Sequence, residues 1–189
     1  MATVGLRDLF YATITETEEG VDSYGNPKRL AKAISAEMSV EIAEAILHGD
    51  DGVDVVEREF VSGELTLNTT DLEQADVATL LGQHQDADGV NYASGDDIAP
   101  YVAIAFRAKK PGGKFKYVWL YKVKFGVPDE SYQTKGDSIE FSTPEIVGTI
   151  IKRDDGLWKA DHVALPTDPV AEAWYEAVRE PNNTPESGG

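Results

Sequence analysis

Residues 101–125 read YVAIAFRAKKPGGKFKYVWLYKVKF, and this stretch decides the fold. Two runs rich in β-branched and aromatic residues flank the segment Lys110-Pro111-Gly112-Gly113, which predicts a β-hairpin closed by a type II turn. The first arm is apolar on both faces of the strand, and the second alternates an aromatic face with a face that carries lysines at both ends. A strand that is apolar on both faces must be covered on both faces.

The aromatic face of the second arm supplies the candidate core aromatics Phe115, Tyr117, Trp119, Tyr121 and Phe125. A chain of 189 residues is long enough for one domain with a sizeable core. The sequence therefore leaves two ways of covering the second face of the hairpin. The hairpin is either buried inside a single sandwich or covered by another subunit.

The chain is strongly acidic, with a formal net charge of −17 at pH 7, yet eight of its 17 lysines and arginines lie between positions 101 and 135. The acidic excess argues against a simple nucleic-acid binder, because phosphate contacts need a basic surface. It suits a surface that nucleic acid passes without sticking. The clustered lysines predict a charge partner, either acidic patches of the same chain or those of a neighbouring copy. The alternative is that they are edge-strand lysines that discourage aggregation.

Cysteine is absent from the sequence, which excludes disulfides and thiolate metal sites. The N-terminus, MATVGLRDLF, lacks a basic segment followed by an apolar one and predicts no signal peptide. The apolar runs are shorter than the roughly 18 residues that a membrane span needs. These features predict a soluble protein made in a cytosol.

Strand patterns dominate the remainder of the chain. Residues 8–15, 33–42 and about 55–69 have the β-branched content or the period-two alternation of strands. Three short strand candidates follow the hairpin, at SIEF, EIVGTII and LWKADHVAL. The apolar face of the 33–42 strand consists of Ile34, Ala36, Met38, Val40 and Ile42.

Two helices are predicted from end signals. Thr70 and Glu73 form a capping box for a helix that runs to about Leu81, with Gly82 as the residue that ends it. Asp168, followed by a proline, begins a short C-terminal helix.

The fold class is therefore α+β and mainly antiparallel β, as a two-sheet sandwich or barrel with one flanking helix and a short C-terminal helix. The sandwich or barrel spans residues 1–167, and the C-terminal helix spans 168–180. The polar residues 181–189 are expected to be a disordered tail.

Catalytic chemistry has no support in the sequence. His48, His84 and His162 are far apart, and none has a metal-ligand spacing such as H-E-x-x-H. The acidic loop HGDDGVD does not fit an EF-hand, which needs more oxygen ligands and a closing glutamate. Nucleophile and nucleotide-binding motifs are also missing from the sequence. We therefore predict no enzyme activity, no cofactor and no metal site.

Several segments, in order, resemble the major tail proteins of long, flexible-tailed bacteriophages, specifically the phi13-type group. They are VGLRDLFYATIT, YGNPKRLAKAIS, the helix DLEQADVATLLG and the run FRAKKPGGKFKYVWLYKVKFGVPDESYQTKGDSIEFSTPEIVGTI. In that run the family typically has a basic Gly-containing turn, a Tyr-Val-Trp-Leu-Tyr-like strand, a Pro-Glu loop, a Thr-Lys-Gly-Asp segment and a Phe-x-Thr-Pro segment. The resemblance covers about residues 3–165 and leaves out the C-terminal helix and the tail.

The resemblance implies a tail-tube subunit with two packed antiparallel sheets and a flanking helix. Such subunits form homohexameric rings that stack head-to-tail into a hollow tube, where the inner sheets join into one barrel around the lumen. The partners implied are further copies of the chain, the tape measure protein and the tail-tip and terminator proteins, while DNA passes through the lumen without specific binding. The implied location is the virion tail, assembled in the cytoplasm of the bacterial host, with no membrane and no cofactor.

A basic hairpin on an acidic chain suits head-to-tail contacts, which are heterologous and therefore build rings and stacks. We expect Lys114, Lys116, Lys122 and Lys124 to contribute to these contacts rather than to DNA binding. The N-terminal segment and the loop at 48–58 are candidate ring-to-ring contacts by analogy with the protruding arms of the family. The candidate contact residues are Arg7, Asp8, Asp50, Asp51, Asp54, Lys109, Lys110, Lys114, Lys116, Lys122 and Lys124.

Two alternative functions remain. The first is a tube subunit of a contractile or secretion apparatus, which shares the fold. The second is a carbohydrate- or surface-binding β-sandwich that uses Tyr117, Trp119 and Tyr121 as a stacking platform. Solvent exposure of these three rings discriminates between the second alternative and a tube subunit, because a stacking platform must be open to solvent and a tube subunit should bury the rings.

Overall fold

The computed structural model describes residues 4–16, 22–49, 52–70, 72–128 and 145–181. Strands make up 55% of the structure and helices 11%, so the predicted mainly antiparallel β class is confirmed. The strand predicted at 138–141 and the tail predicted to be disordered lie outside the described residues, apart from Pro181.

The strands in chain order are β1 (Val4–Glu16), β2 (Asp22–Tyr24), β3 (Lys28–Ala31), β4 (Ala33–Gly49), β5 (Gly52–Thr69), β6 (His84–Gln85), β7 (Asn91–Tyr92), β8 (Tyr101–Lys109), β9 (Phe115–Phe125), β10 (Glu145–Ile150) and β11 (Lys159–Ala164). The helices are α1 (Gln74–Leu81) and α2 (Pro169–Glu172). The strands predicted at 8–15, 33–42 and 55–69 are confirmed in place. Each is longer than predicted, because backbone pairing continues past the end of the clear side-chain pattern.

Nine strands form one antiparallel sheet, and β6 and β7 form a separate two-stranded ribbon. The order in the large sheet is β2-β1-β8-β9-β10-β5-β4, with β3 also paired to β1 and β11 also paired to β9. The hairpin of β8 and β9 therefore lies at the centre of the sheet, which is where strands apolar on both faces belong. At one side of this order, β4 pairs only with β5 among the described strands.

One face of the β8–β9 hairpin packs into the first hydrophobic core. The hairpin contributes Val102, Ile104 and Leu120 to this core, and all three are fully buried. Leucines of β5 and the last two leucines of α1 pack against them, so α1 closes the core on the same face.

The other face of the hairpin is covered by the C-terminal segment, residues 168–180, of the same chain. The indole Nε1 of Trp119 donates a hydrogen bond to the Trp174 carbonyl oxygen at 3.0 Å, and both side chains are buried. The Tyr121 hydroxyl donates to the Arg179 carbonyl oxygen at 2.6 Å. Of the two covers that the sequence left open, cover by the same chain is the one observed for this face.

A bulge divides the aromatic residues of β9 between the two faces. The ladder between β8 and β9 shifts register between Val102 and Ile104. Two consecutive residues of β9, Tyr121 and Lys122, therefore oppose a single residue of β8. Phe125 consequently lies in the first core, whereas the aromatics before the bulge pack in or against the second. The prediction that all five aromatics share one face is wrong at Phe125, because period two does not continue through a bulge.

The helix α1 begins later than predicted. Glu73 has extended backbone and makes no side-chain capping bond. Thr70 instead donates its hydroxyl to the Lys32 carbonyl oxygen at 3.3 Å. The predicted capping box is wrong, because this tertiary contact takes the threonine side chain. The end of the helix is confirmed: Gly82 has a φ of 70°, and a Cβ there would lie 2.2 Å from the Ile98 carbonyl oxygen.

The C-terminal segment contains only one short helix, α2, followed by turns, and not a helix to residue 180. The predicted cap is confirmed, since the Asp168 carboxylate accepts hydrogen bonds from the backbone amides of Val170 at 2.9 Å and Ala171 at 3.2 Å. Trp174 is buried, whereas Ala177, which lies beyond the helix, is exposed.

A long hairpin of β4 and β5 replaces the acidic loop predicted at 48–58. Its pairing runs from Ala33 opposite Thr69 to Gly49 opposite Gly52. Residues 50 and 51, between these glycines, lie outside the described part of the chain. Aspartates and glycines favour a loop in isolation, but a paired neighbouring strand extends the ladder through them.

Replacing Trp174 by alanine should lower the free energy of unfolding by about 3–5 kcal/mol, because it removes the largest side chain that covers Trp119. Urea unfolding followed by circular dichroism measures this change. Ala177→Ser, at an exposed position of the same segment, is the control and should change stability by less than about 0.5 kcal/mol. Equal stability of the Trp174→Ala protein and the wild type would contradict the cover described here.

Candidate assembly interface

The end of the β8–β9 hairpin is a cluster of cations. The Lys110 amide donates to the Lys114 carbonyl oxygen at 2.9 Å, and Gly112 has the positive φ, 78°, that the third position of a type II turn requires. The pairing of β1 with β8 brings Arg7 to the same end of the sheet. Within the described part of the chain, no carboxylate forms an ion pair with Arg7, Lys109, Lys110 or Lys114. We call these four residues the basic end.

Lys116 lies just beyond the basic end and shares a carboxylate with a lysine of β11. Its Nζ is 3.2 Å from Asp161 Oδ2, and Lys159 Nζ is 3.2 Å from Asp161 Oδ1. Burial would raise the pKa of Asp161, but the bonds that Lys159 and Lys116 donate hold that pKa below its ordinary value. Two ammonium groups facing one carboxylate leave one unit of positive charge at this point of the surface.

The two remaining lysines of β9 pack against an aromatic ring of the same chain. Lys122 Nζ lies 5.0 Å and Lys124 Nζ 5.3 Å from the centre of the Tyr101 ring, within the range of cation–π contacts. Lys122 is only 7% exposed. We therefore leave Lys122 out of the assembly surface, although the sequence made it a candidate contact, while Lys124 is half-buried and stays a candidate.

Asp8, another candidate contact, already has cationic partners within the chain. Its carboxylate forms an ion pair with Arg107 at 2.5 Å and a longer one with Arg29 at 3.4 Å. The Asp8 backbone has a φ of 54°, at a point where the ladder between β1 and β8 shifts register. The guanidinium of Arg107 also lies 4.6 Å from the centre of the Phe115 ring, so Asp8 helps to hold this stack in place.

The hairpin of β4 and β5 carries apolar side chains that its own chain leaves exposed. Met38 pairs with buried Leu65, so this face continues the first core, but Ile42 is 56% exposed. The cross-strand partner of Ile42 is Phe60, which stacks on Trp158 with ring centres 4.4 Å apart. The exposed residues, which we call the apolar strip, are Ile34, Met38, Val40 and Ile42. The sequence predicted the alternation of these residues, and the structure shows that this apolar face is exposed rather than buried.

The opposite face of this hairpin is acidic. Glu37 pairs with Thr66, and Ser39 pairs with Glu64, so the carboxylates of both strands share this face. Residues 37–64 contain nine acids and one arginine, and cross-strand pairing places five of the acids on this face: Glu37, Glu41, Glu57, Glu59 and Glu64. Of the predicted contact residues in this segment, Asp50 and Asp51 lie outside the described residues. Asp54 lies in β5, and its side chain also lies outside the description.

An apolar groove of about 370 Å³ lies between the base of β4 and the central strands. The base of β4 contributes Ile34, Ala36 and Met38 to its lining. Leu6, Phe106 and Val118 of the central strands form the other wall, and Lys116 and Lys159 also line the groove. Phe106 and Ala36 pack against the first core, so the groove is an open continuation of that core.

The aromatic residues of β9 do not form an exposed platform. Tyr117, Trp119 and Tyr121 are each at most 2% exposed, beneath the C-terminal segment. The carbohydrate-binding alternative therefore loses the residues on which it was based. Within the described ranges, acidic and histidine side chains form no group able to hold a metal ion, and no helix is long and apolar enough to cross a membrane.

No protein-family model matches the chain, and no curated protein matches its sequence. Support for a function therefore comes from the surfaces described above and from the sequence resemblance.

Replacing Asp161 by asparagine should remove the pH dependence that this carboxylate gives to stability. Because the folded pKa of Asp161 is lowered, its contribution is present above its unfolded pKa, about 3.9, and is lost as the pH falls through the folded value. The partly exposed pairs make this contribution at most about 1 kcal/mol. Urea midpoints at pH 7 and pH 3 check this: the wild type should exceed Asp161→Asn at pH 7, and the difference should shrink at pH 3. A difference independent of pH would contradict the assignment.

Proposed function

We propose that the chain is a structural subunit of a bacteriophage tail tube, which assembles into stacked hexameric rings around a lumen for the genome. In this proposal the large sheet corresponds to the two-sheet sandwich of tube proteins. Strands β4, β5 and β10 form one layer, and β1, β8 and β9 form the other. Residues of both sets of strands meet in the first core, which supports this division.

The observation that carries the proposal is the apolar strip on the last strand of the sheet. Val40 and Ile42 are exposed on a strand that pairs on one side only among the described strands. A row of unpaired backbone groups beside apolar side chains is a template for pairing with another chain. A second copy of the chain that adds a strand at β4 would satisfy these backbone groups and extend the sheet from one subunit to the next, while the strip remains an apolar face for packing on another copy.

The distribution of charge supports contacts between copies. The basic end and the acidic hairpin of β4 and β5 are different surfaces of one subunit. Contacts between unlike surfaces are heterologous and produce rings or stacks rather than closed dimers. Opposite charges on the two surfaces would guide copies into one orientation.

The acidic face of the β4–β5 hairpin is the candidate lining of the lumen. Glu37 and Glu64 lie on the face opposite to the apolar strip. If the strip packs on protein, this face is directed away from it, towards the hollow. Carboxylates repel phosphates, so DNA would slide past such a wall without binding.

A tube subunit of a contractile or secretion apparatus would use the same surfaces. A sheath gene next to the gene for this chain would favour that alternative, and its absence would favour the flexible tail.

Negative-stain electron microscopy of the pure protein, dilute and then concentrated, tests the proposal directly. Hollow rings or tubes of uniform width are the expected result at high concentration or after addition of a tail-tip nucleus. Compact monomers under both conditions would contradict the proposal.

Ile42→Glu should abolish assembly without unfolding the subunit, because it places a charge at the most exposed residue of the apolar strip. The matched control is Ile98→Glu, at a position that is 77% exposed and lies outside the strip. Sedimentation velocity and electron microscopy should show assembly for the control alone, with circular dichroism spectra unchanged in both variants. Normal tubes from Ile42→Glu would remove the strip from the interface.

Reversing the charge of the basic end should also weaken assembly. The triple variant Lys109→Glu, Lys110→Glu and Lys114→Glu changes three exposed or half-exposed side chains of the turn. We expect the variant to assemble more slowly than the wild type. Its assembly rate should no longer fall as salt is added, since salt slows the wild type by screening an attraction that the variant lacks. Light scattering at several salt concentrations measures both rates, and identical rates for variant and wild type would contradict a role for these lysines.

A further inference from the structure

The groove between β4 and the central strands has the features of a docking site. Its apolar walls continue the first core to the surface, so solvent now touches side chains of the kind that a core buries. Filling it would remove Leu6, Met38 and Phe106 from water, which is favourable in proportion to the apolar area buried. A volume of about 370 Å³ accepts two or three side chains of an extended strand and is too small for a whole helix.

The charge at the groove limits what the occupant can be. Lys116 and Lys159 line the groove and share the single carboxylate of Asp161. One positive charge is left over beside an apolar surface, and the neighbouring basic end adds more. The fitting occupant is an extended segment with aliphatic side chains on one face and a carboxylate nearby.

The chain itself contains such a segment in the outer half of β4. Val40 and Ile42 are exposed on one face of the strand, and period two places Glu44 on the same face. Glu44 is paired with Arg58 at 2.7 Å, but that pair is exposed and can exchange partners at little cost. Within one subunit this segment is the outward continuation of the strand whose base lines the groove, so it cannot fold back to fill its own groove.

We propose that the groove of one copy receives residues 40–44 of a second copy, with Val40 and Ile42 against the apolar walls and Glu44 beside Lys116 and Lys159. This deepens the proposed function and rests on it, because it names the two surfaces that meet between subunits. The groove and the segment are different surfaces, so each copy offers one to a preceding subunit and one to a following subunit. The contact is heterologous and propagates without closing on itself as a dimer.

Cysteine cross-linking tests this contact in a clean background, since the chain has no cysteine of its own. One variant carries Ala108→Cys, in the groove lining, and the other carries Ile42→Cys. The two full-length proteins, distinguished by a small mass tag, are mixed at high concentration and treated with a mild oxidant. Ile34→Cys gives a second groove position if Ala108→Cys folds poorly. Ile98→Cys replaces Ile42→Cys in the control mixture.

The expected result is a mixed disulfide that forms at least about tenfold faster than in the control mixture, because docking raises the effective concentration of the two thiols. Formation at the control rate would overturn the proposal. Predominant disulfides between two Ile42→Cys copies would also overturn it, in favour of symmetric packing of two hairpins.

Electron microscopy of the wild type, scored separately, distinguishes this inference from the proposed function. Rings without the mixed disulfide leave the tube subunit in place and reject the groove as the docking site. The mixed disulfide without rings supports the docking contact and rejects the tube.

Discussion

Burial of the β8–β9 hairpin on both of its faces is the constraint on which the remaining structure depends. The first face requires the leucines of β5 and α1, and the second requires the C-terminal segment with Trp174. The indole of Trp119 is a donor inside an apolar layer, and its bond to the Trp174 carbonyl oxygen satisfies it. One hairpin thus determines the centre of the sheet, the position of the helix and the path of the end of the chain.

The packing around this central hairpin leaves an apolar face exposed at one side of the sheet. The strands that cover it extend to β4, which has no strand beyond it among those described, and its apolar face extends past the body into solvent. Exposure of Met38, Val40 and Ile42 does not stabilise a monomer, whereas a subunit that assembles would bury these side chains against another copy. The same feature therefore links the internal packing of the subunit to its proposed contacts with other copies.

The charged residues divide into those that serve the subunit and those that remain available to partners. Asp8, Arg107 and Lys122 are held by neighbours within the chain. The basic end is exposed and makes no ion pair with the described residues, and Lys116 with Lys159 keeps a surplus charge beside the groove. All these residues look alike in the sequence, because a lysine on an alternating strand gives no indication of whether a ring from a neighbouring strand lies over it.

The sequence by itself determined the antiparallel β class, the central hairpin, the end of α1 at Gly82 and the cap at Asp168, since alternation, turn glycines and capping residues act over a few neighbours. It also identified the apolar strip as a set. Only the tertiary structure decided that the strip is exposed, that a bulge turns Phe125 to the other face, and that Thr70 bonds Lys32 instead of capping a helix. The groove is likewise a tertiary feature, because its two walls come from strands that are at least 28 residues apart in the chain, the separation of Leu6 and Ile34. Local patterns record which face of a strand is apolar, whereas the element that covers that face is chosen by chain segments far away in sequence.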